Sequence, residues 1–234
     1  MSKKNISWID PSQSQSVFDS YNNFLMSDDR KVFFKLCMRF NLYNKVKDLH
    51  GDIVECGVFK GAGLLAWLKM IDMYQPNSLK KVIGFDFFDP GFTEELENII
   101  DKENMKYVFS RDPNLNAKDV SLEAIEARLK KAGFNNNKFE LVKGDISQTS
   151  KDFIMNKPGF RISLLYLDLD LDVPTYDTLN VFWDRVVPGG VVVFDEYAMY
   201  SWSESNAVDR FFKDKNVKII NTNIFSPSAY VVKE

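Results

Sequence analysis

One histidine, His50, and two cysteines, Cys37 and Cys56, are all that this 234-residue chain has of the side chains that serve most nucleophile–base pairs and transition-metal sites. His50 directly precedes the first predicted strand, at the end of the sheet away from the glycine loop, so neither Ser-His-Asp nor Cys-His catalysis can be assembled. The two cysteines have no metal-ligand spacing. Cys56 falls inside an apolar strand and reads as a small core residue, a usage that fits a reducing cytoplasm. No dense Lys/Arg tract with interleaved aromatics occurs and the formal net charge is −3, so nucleic acid is not an expected partner. No apolar run is long enough to span a membrane. The stretch MSKKNISWIDPSQSQS has no apolar core, and no secretory leader is expected there. Repeats and low-complexity tracts are also missing.

What the chain does have is a core and a rhythm. Apolar residues make up 45% of it, enough for one α/β domain with a helical extension. Residues 1 to about 15 read as a polar arm. Ser16–Met26 and Asp28–Leu49 carry apolar residues at helical spacing (Val32, Phe33, Leu36, Phe40, Leu42), so residues 1–50 are expected to form an arm and helices that pack on a core of residues 51–234. Strands are predicted at Asp52–Val58, Lys81–Phe88, Phe139–Val142, Ile162–Leu167 and Val191–Phe194, with helices at about Ala62–Tyr74 and Ser121–Ala132. The last helix ends at Gly133, a suitable C′ residue. Val217–Ile220 and Tyr230–Val232 stand too close for a crossover helix and read as an antiparallel edge pair. The alternation elsewhere implies right-handed βαβ units and a mostly parallel sheet. Residues 90–120, polar and irregular with a weak helix near Thr93–Glu103, read as a lid inserted at the ligand-facing edge.

Carboxylates gather where such a sheet binds ligands. In ISLLYLDLDLDVPTYDTLNVFWDRVVPGGVVVFDEY, Ile162 to Tyr197, two apolar strands each end in acids: Asp168, Asp170 and Asp172 after the first, Asp195 and Glu196 after the second. Neighbouring parallel strands bring their C-terminal ends to one crevice. Like charges so placed repel, and a divalent cation relieves them. Asp168, Asp195 and Glu196 are the metal candidates, with Mg²⁺ the natural partner of hard oxygens. Asp172, just before Pro174, suits a helix N-cap; Asp170 is open to either role.

Three further strand ends point to a nucleoside. In VECGVFKGAG, Gly57 and Gly61 let the backbone turn tightly into a helix. The spacing Gly-x3-Gly-x-Gly differs from the pyrophosphate fingerprint, which disfavours an NAD-dependent oxidoreductase. Glu55 would repel a pyrophosphate but welcome the ammonium of S-adenosylmethionine. Asp86 ends VIGFDFF at about the distance beyond the glycine loop where an acid accepts from ribose hydroxyls. Asp145 ends LVKGD and is placed to accept from an adenine amino group, although turn chemistry explains Gly144-Asp145 almost as well. Phe87, Phe88, Tyr197 and Trp202 could wall the crevice.

Together these motifs, in this order from Gly51 to about Phe211, resemble the macrocin O-methyltransferase family. The resemblance rests on Glu55-Cys-Gly-Val-x-x-Gly61, Gly84-Phe-Asp-x-Phe88, Lys143-Gly-Asp145 with Thr149, and Leu167-Asp-x-Asp170 with Pro174-Thr175 and Thr178-Leu179. It extends to Pro188-Gly-Gly190 before the acidic pair and to Ala207-Val-Asp209 with Phe211. It implies a class I S-adenosylmethionine-dependent methyltransferase: a Rossmann-like, mostly parallel seven-stranded sheet with helices on both faces and an N-terminal helical extension. It further implies O-methylation of a sugar, nucleotide sugar or glycosylated natural product with Mg²⁺ or another divalent cation. Asp168, Asp195 and Glu196 fall on the family's metal positions, with Asp168 the candidate base; Glu55, Gly57, Asp86 and Asp145 fall on cofactor positions. The family's acidic pair is usually Asp-Asp, where this chain has Asp195-Glu196, and a Tyr is common where Asp172 stands. The alternatives are a metal-independent N- or O-methyltransferase and a catalytically silent nucleoside-binding partner subunit. The apolar N-terminal helices would suit a homo-oligomer.

Overall fold

A computed structural model describes residues 11–234; the expected arm lies outside them up to residue 10, while residues 11–15 belong to the first helix. Two helices come first, α1 (Pro11–Met26) and α2 (Lys31–Val46), followed by β1 (Asp52–Cys56), α3 (Ala62–Tyr74) and β2 (Val82–Asp86). Then come α4 (Ile99–Ser110), α5 (Leu122–Lys131), β3 (Phe139–Lys143), α6 (Ile146–Asn156), β4 (Ile162–Leu167) and α7 (Asp172–Phe182). The chain finishes with β5 (Val186–Phe194), α8 (Glu204–Phe212), β6 (Ile220–Asn221) and β7 (Ala229–Val232).

The seven strands form one sheet in the order β3-β2-β1-β4-β5-β7-β6. All pairings are parallel except β5 with β7 and β6 with β7, so the expected edge pair is present. Strand side chains alternate between the two faces. Val54, Cys56, Leu165, Leu167, Val192 and Phe194 pack under α6, α7 and α8 with Phe153, Phe182 and Phe212. Ile53, Leu164, Tyr166, Val191 and Val193 face α2, α3 and α5 with Leu42, Trp67 and Leu129. Each large side chain so buried contributes roughly 1.5–3 kcal/mol.

Several expectations need correction. Residues 146–156 form α6, capped by Asp145, which accepts from Ser147 N at 2.9 Å; no helix was expected there because its polar face is broad. Strand β2 stops at Asp86, since Phe88 takes a left-handed φ of 52° that ends the extended run. In residues 90–120 the α-helix lies at Ile99–Ser110 instead of near Thr93–Glu103: two 3₁₀ turns flank α4, whose N-cap is Asn98, with its side chain accepting from Ile100 N and Asp101 N. Asp172 caps nothing. It is the first residue of α7, and its carboxylate takes both arms of Arg210 at 2.7 and 3.2 Å, a planar bidentate match stronger than a backbone cap.

The predicted apolar set of α2 is only partly turned inward: Leu42 is in the core and Phe40 packs against it. Val32, Phe33 and Leu36 are exposed, while Arg39, Leu42, Tyr43 and Val46 are buried. Lys35, Arg39, Leu42, Tyr43 and Val46 form the inner stripe, spaced three or four apart as one helix face requires. Lys35 and Arg39 meet the acidic sheet end, while Leu42, Tyr43 and Val46 pack on the core.

Candidate active site

Backbone pairing continues one residue beyond the central strands and fixes the site. Asp168 N donates to Cys56 O at 2.9 Å, Asp195 N to Leu167 O at 3.0 Å and Gly57 N to Phe85 O at 2.9 Å. The expected residues Gly57, Asp168 and Asp195 therefore stand side by side at the C-terminal ends of β1, β4 and β5. Gly57 has φ 88°, and a Cβ there would lie 1.8 Å from Asp168 O, so only glycine lets β1 turn this close to β4.

Asp168, Asp195 and Glu196 come together as the strand ends imply: one ligand oxygen of each lies within 4.8 Å of the others. Asp170, at a left-handed φ of 65°, and Glu204, fully buried on α8, join them to make a five-carboxyl cluster. Glu204 Oε1 accepts from Glu196 N at 3.2 Å. Burial, then the neighbouring Asp195, raises Glu196 and Glu204 well above the ordinary carboxyl range. Burial and then Asp168 hold Asp170 up to about 7. Asp195 goes the other way: burial opposes it, but Lys35 and further hydrogen bonds, among them Ser226, hold it below the usual range.

Asp195 is the most fully satisfied member. Its Oδ1 accepts from the Tyr166 hydroxyl, and its Oδ2 accepts from Ser226 Oγ at 2.5 Å and from Lys35 Nζ at 2.7 Å. The same ammonium reaches Asp168 Oδ2 at 3.0 Å. One turn further along α2, Arg39 Nη2 donates to Glu55 Oε1 at 2.9 Å and its guanidinium lies over Tyr166, 4.7 Å from the ring centroid. Sequence reasoning missed Lys35, Arg39, Tyr166, Glu204 and Ser226. The available signal was the 35/39/42/43/46 stripe, in which two cations share a helix face with core residues.

The cofactor candidates are placed less openly. Glu55 is buried under α3, where a Cβ at Gly63 would lie 1.8 Å from its Oε1. Its Oε2 is buried without a partner. Burial raises its carboxyl to about 7, with Arg39 opposing. Asp86 Oδ2 accepts from Val58 N (2.7 Å) and Phe59 N (3.0 Å), and Oδ1 from Phe88 N (2.8 Å), so it ties the glycine loop to β2. Gly61 is the left-handed N-cap of α3. Asp145 is exposed at the start of α6. His50 is exposed and Cys56 is buried.

The 90–120 segment bridges the site's rim. Phe92 stacks on Phe87 at 4.5 Å, Phe109 meets Phe59 of the glycine loop, and Asp112 pairs with Lys60 at 2.7 Å. On the far side Ser203 Oγ donates to Asp101 at 3.1 Å and Asn104 Nδ2 to Ser201 O.

The donor set fits a divalent cation: hard oxygens from three residues, with Glu196 Oε2 buried and unpartnered. The unpartnered Glu55 Oε2 beside the glycine turn fits an ammonium-bearing nucleoside. Among the described residues no helix is long and apolar enough to cross a membrane.

Comparison with known proteins agrees with the geometry. The family model of macrocin O-methyltransferases matches residues 26–231. A Streptomyces olivaceus protein, 8-demethyl-8-(2,3-dimethoxy-α-L-rhamnosyl)-tetracenomycin-C 4′-O-methyltransferase, is 26% identical over 151 residues. That match takes in 64% of this chain and 54% of the relative, so the chain spans about half the relative's length. Among solved structures, the calicheamicin methyltransferase CalS11 superposes with a TM-score of 0.67 at 21% identity, covering 96% of this chain and 93% of that one. The O-methyltransferase NovP gives 0.70 at 21% identity over 86% of this chain and 79% of its own. An apo structure of CalS11, described as a TDP-rhamnose 3′-O-methyltransferase, gives 0.65 at 22% identity over 99% of both chains. These likenesses establish the class I methyltransferase fold.

Proposed function

The chain belongs to the macrocin O-methyltransferase family, and on that premise we propose that it transfers a methyl group from S-adenosylmethionine to a sugar hydroxyl with the help of a divalent cation. The observation that carries this reading is the convergence of Asp168, Asp195 and Glu196 at adjacent parallel strand ends. The acceptor class, a sugar, nucleotide sugar or glycosylated natural product, is supported by the rhamnosyl and TDP-rhamnose substrates in the descriptions of two relatives.

Asp168, Asp195 and Glu196 would hold the cation, which supplies Lewis acidity that lowers the pKa of a hydroxyl and orients it. Glu55 Oε2 is assigned to the cofactor's ammonium, and Gly57 to the close approach of its backbone. The Oδ2 atoms of Asp168 and Asp195 share one cation, Lys35, so Asp168 Oδ2 is assigned to the divalent ion and Oδ1 to the acceptor's proton. The aromatic rim of Phe59, Phe87, Phe92 and Phe109 would exclude water.

The test is radiolabelled methyl transfer from S-adenosylmethionine over TDP-sugars and rhamnosyl glycosides, with and without excess EDTA, alongside Asp195→Asn. Transfer lost in EDTA and in Asp195→Asn, with cofactor binding retained, is the expected result. Undiminished turnover in both sinks the metal role. A second reading, metal-independent transfer, has one observation in its favour: the Lys35 ammonium already neutralises part of the cluster.

A further inference from the structure

The position of Lys35 carries an inference about how the metal site is filled. It rests on the divalent-cation reading above. Lys35 Nζ bridges Asp195 Oδ2 at 2.7 Å and Asp168 Oδ2 at 3.0 Å. Both carboxylates belong to the metal candidates, and the ammonium contacts them from α2, outside the sheet. A divalent ion held by Asp168 and Asp195 would draw on the carboxylates that the ammonium already engages. Each cation would weaken the other's hold through repulsion.

We propose that Lys35 is a built-in counter-cation that competes with the divalent ion for Asp168 and Asp195, and that metal enters only as the ammonium swings away. The surroundings divide the two basic residues of α2 into a movable one and a fixed one. Lys35 has a flexible stem and a side chain 27% exposed, with a path to solvent. Arg39 is buried on Glu55 and stacked against Tyr166 and Trp67, so it keeps α2 docked when Lys35 leaves. Asp195 does not depend on Lys35 for its orientation, since Tyr166 and Ser226 hold it independently. Lys35 reaches Asp168 and Asp195, while Glu196 Oε2 stays without a partner. Lys35 therefore steadies the metal-free protein without making the cation redundant.

The test is a titration of Mn²⁺ into wild type, Lys35→Met and Lys35→Arg, read by calorimetry and by the loss of free-Mn²⁺ electron paramagnetic resonance. Competition predicts that Lys35→Met binds Mn²⁺ at least ~10-fold more tightly, a gain of about 1.4 kcal/mol, while Lys35→Arg binds no more tightly than wild type. Equal affinities in wild type and Lys35→Met overturn the competition and leave the metal reading standing. No Mn²⁺ binding by any of the three, with each shown folded by circular dichroism, overturns both. If Lys35→Met fails to fold, Lys35→Gln replaces it, and amine labelling of Lys35 in wild type gives a second readout. Added Mn²⁺ should speed reductive methylation of the released Lys35 ammonium, and unchanged labelling in Mn²⁺-saturated protein overturns the proposal.

Discussion

Arg39 Nη2 lies 2.9 Å from Glu55 Oε1, and both side chains are almost wholly removed from solvent. The pair ties the N-terminal helix α2 to the first strand at the point where the glycine loop begins. Removing one partner of a buried pair typically costs about 3–5 kcal/mol, because the other charge is stranded. Arg39→Met should therefore lower the melting temperature sharply, Glu55→Gln less so, and the double variant should recover part of the loss. Thermal denaturation of the four proteins checks this; additive losses would mean that the contact contributes nothing.

The same carboxylate is also assigned to the cofactor's ammonium through Oε2. Glu55→Gln should weaken S-adenosylmethionine binding by about 10-fold or more, as expected for loss of a charge-assisted contact. Isothermal titration separates the two roles: unchanged affinity would leave Glu55 only its partnership with Arg39.

Acid–base behaviour follows from the raised carboxyls. Glu55 is held near 7 against an ordinary value of 4.5, and Asp170 is also near 7. A raised carboxyl binds more protons folded than unfolded between those values. Stability is therefore greatest below the unfolded pKa and falls as pH rises towards the folded one, with a slope approaching about 1.4 kcal/mol per unit for each group. Asp195, held low by Lys35 and Ser226 against burial, acts oppositely but only at more acidic pH. The metal-free protein should melt at a lower temperature at pH 8 than at pH 5, and saturating Mg²⁺ should narrow the difference. A flat profile from pH 5 to 8 in EDTA would contradict the protonated carboxyls.

The parts of the site set by strand ends could be read from the sequence, and those set by tertiary contacts could not. Ile162–Leu167 was found to the residue because six buried apolar side chains in a row leave little choice. Asp168, Asp195 and Glu196 then followed from parallel neighbours ending at one level. Lys35 and Arg39 were missed because Val32, Phe33 and Leu36 are spaced as regularly as the inner stripe, and the ion pairs that hold the two cations form only in the folded sheet. Asp172 was misread because its partner, Arg210, lies 38 positions away. Glu204 carries no local sign that it is buried beneath Glu196.

The exposed face of the N-terminal helices leads to a prediction about assembly. Val17, Phe18, Tyr21 and Leu25 on α1, and Val32, Phe33 and Leu36 on α2, are all more than a third exposed. So many exposed large apolar side chains on two successive helices are unusual on a monomer, and we propose that a second copy of the chain covers them. Sedimentation velocity should give a mass at least twice 27.1 kDa, and Phe18→Glu with Leu25→Glu should return the monomer. A wild-type monomer at micromolar concentration would refute the assignment.

Asp86 has three backbone N–H donors, from Val58, Phe59 and Phe88, at 2.7 to 3.0 Å. An ionised carboxylate can accept all of them, but an amide cannot, because it turns an NH₂ group towards at least one donor. Asp86→Asn should therefore loosen the glycine loop as well as remove charge. It leaves an N–H unsatisfied at a cost of about 1–3 kcal/mol. Loop disorder should weaken S-adenosylmethionine binding even if the ribose never touches residue 86. Asp86→Glu separates the two effects: its longer arm keeps charge but cannot reach Val58 N and Phe88 N together. If ribose contact dominates, the glutamate variant should retain most of its affinity. If the latch dominates, both variants should lose affinity and melt early. The geometry favours the second outcome, and calorimetry alongside thermal melts distinguishes the two.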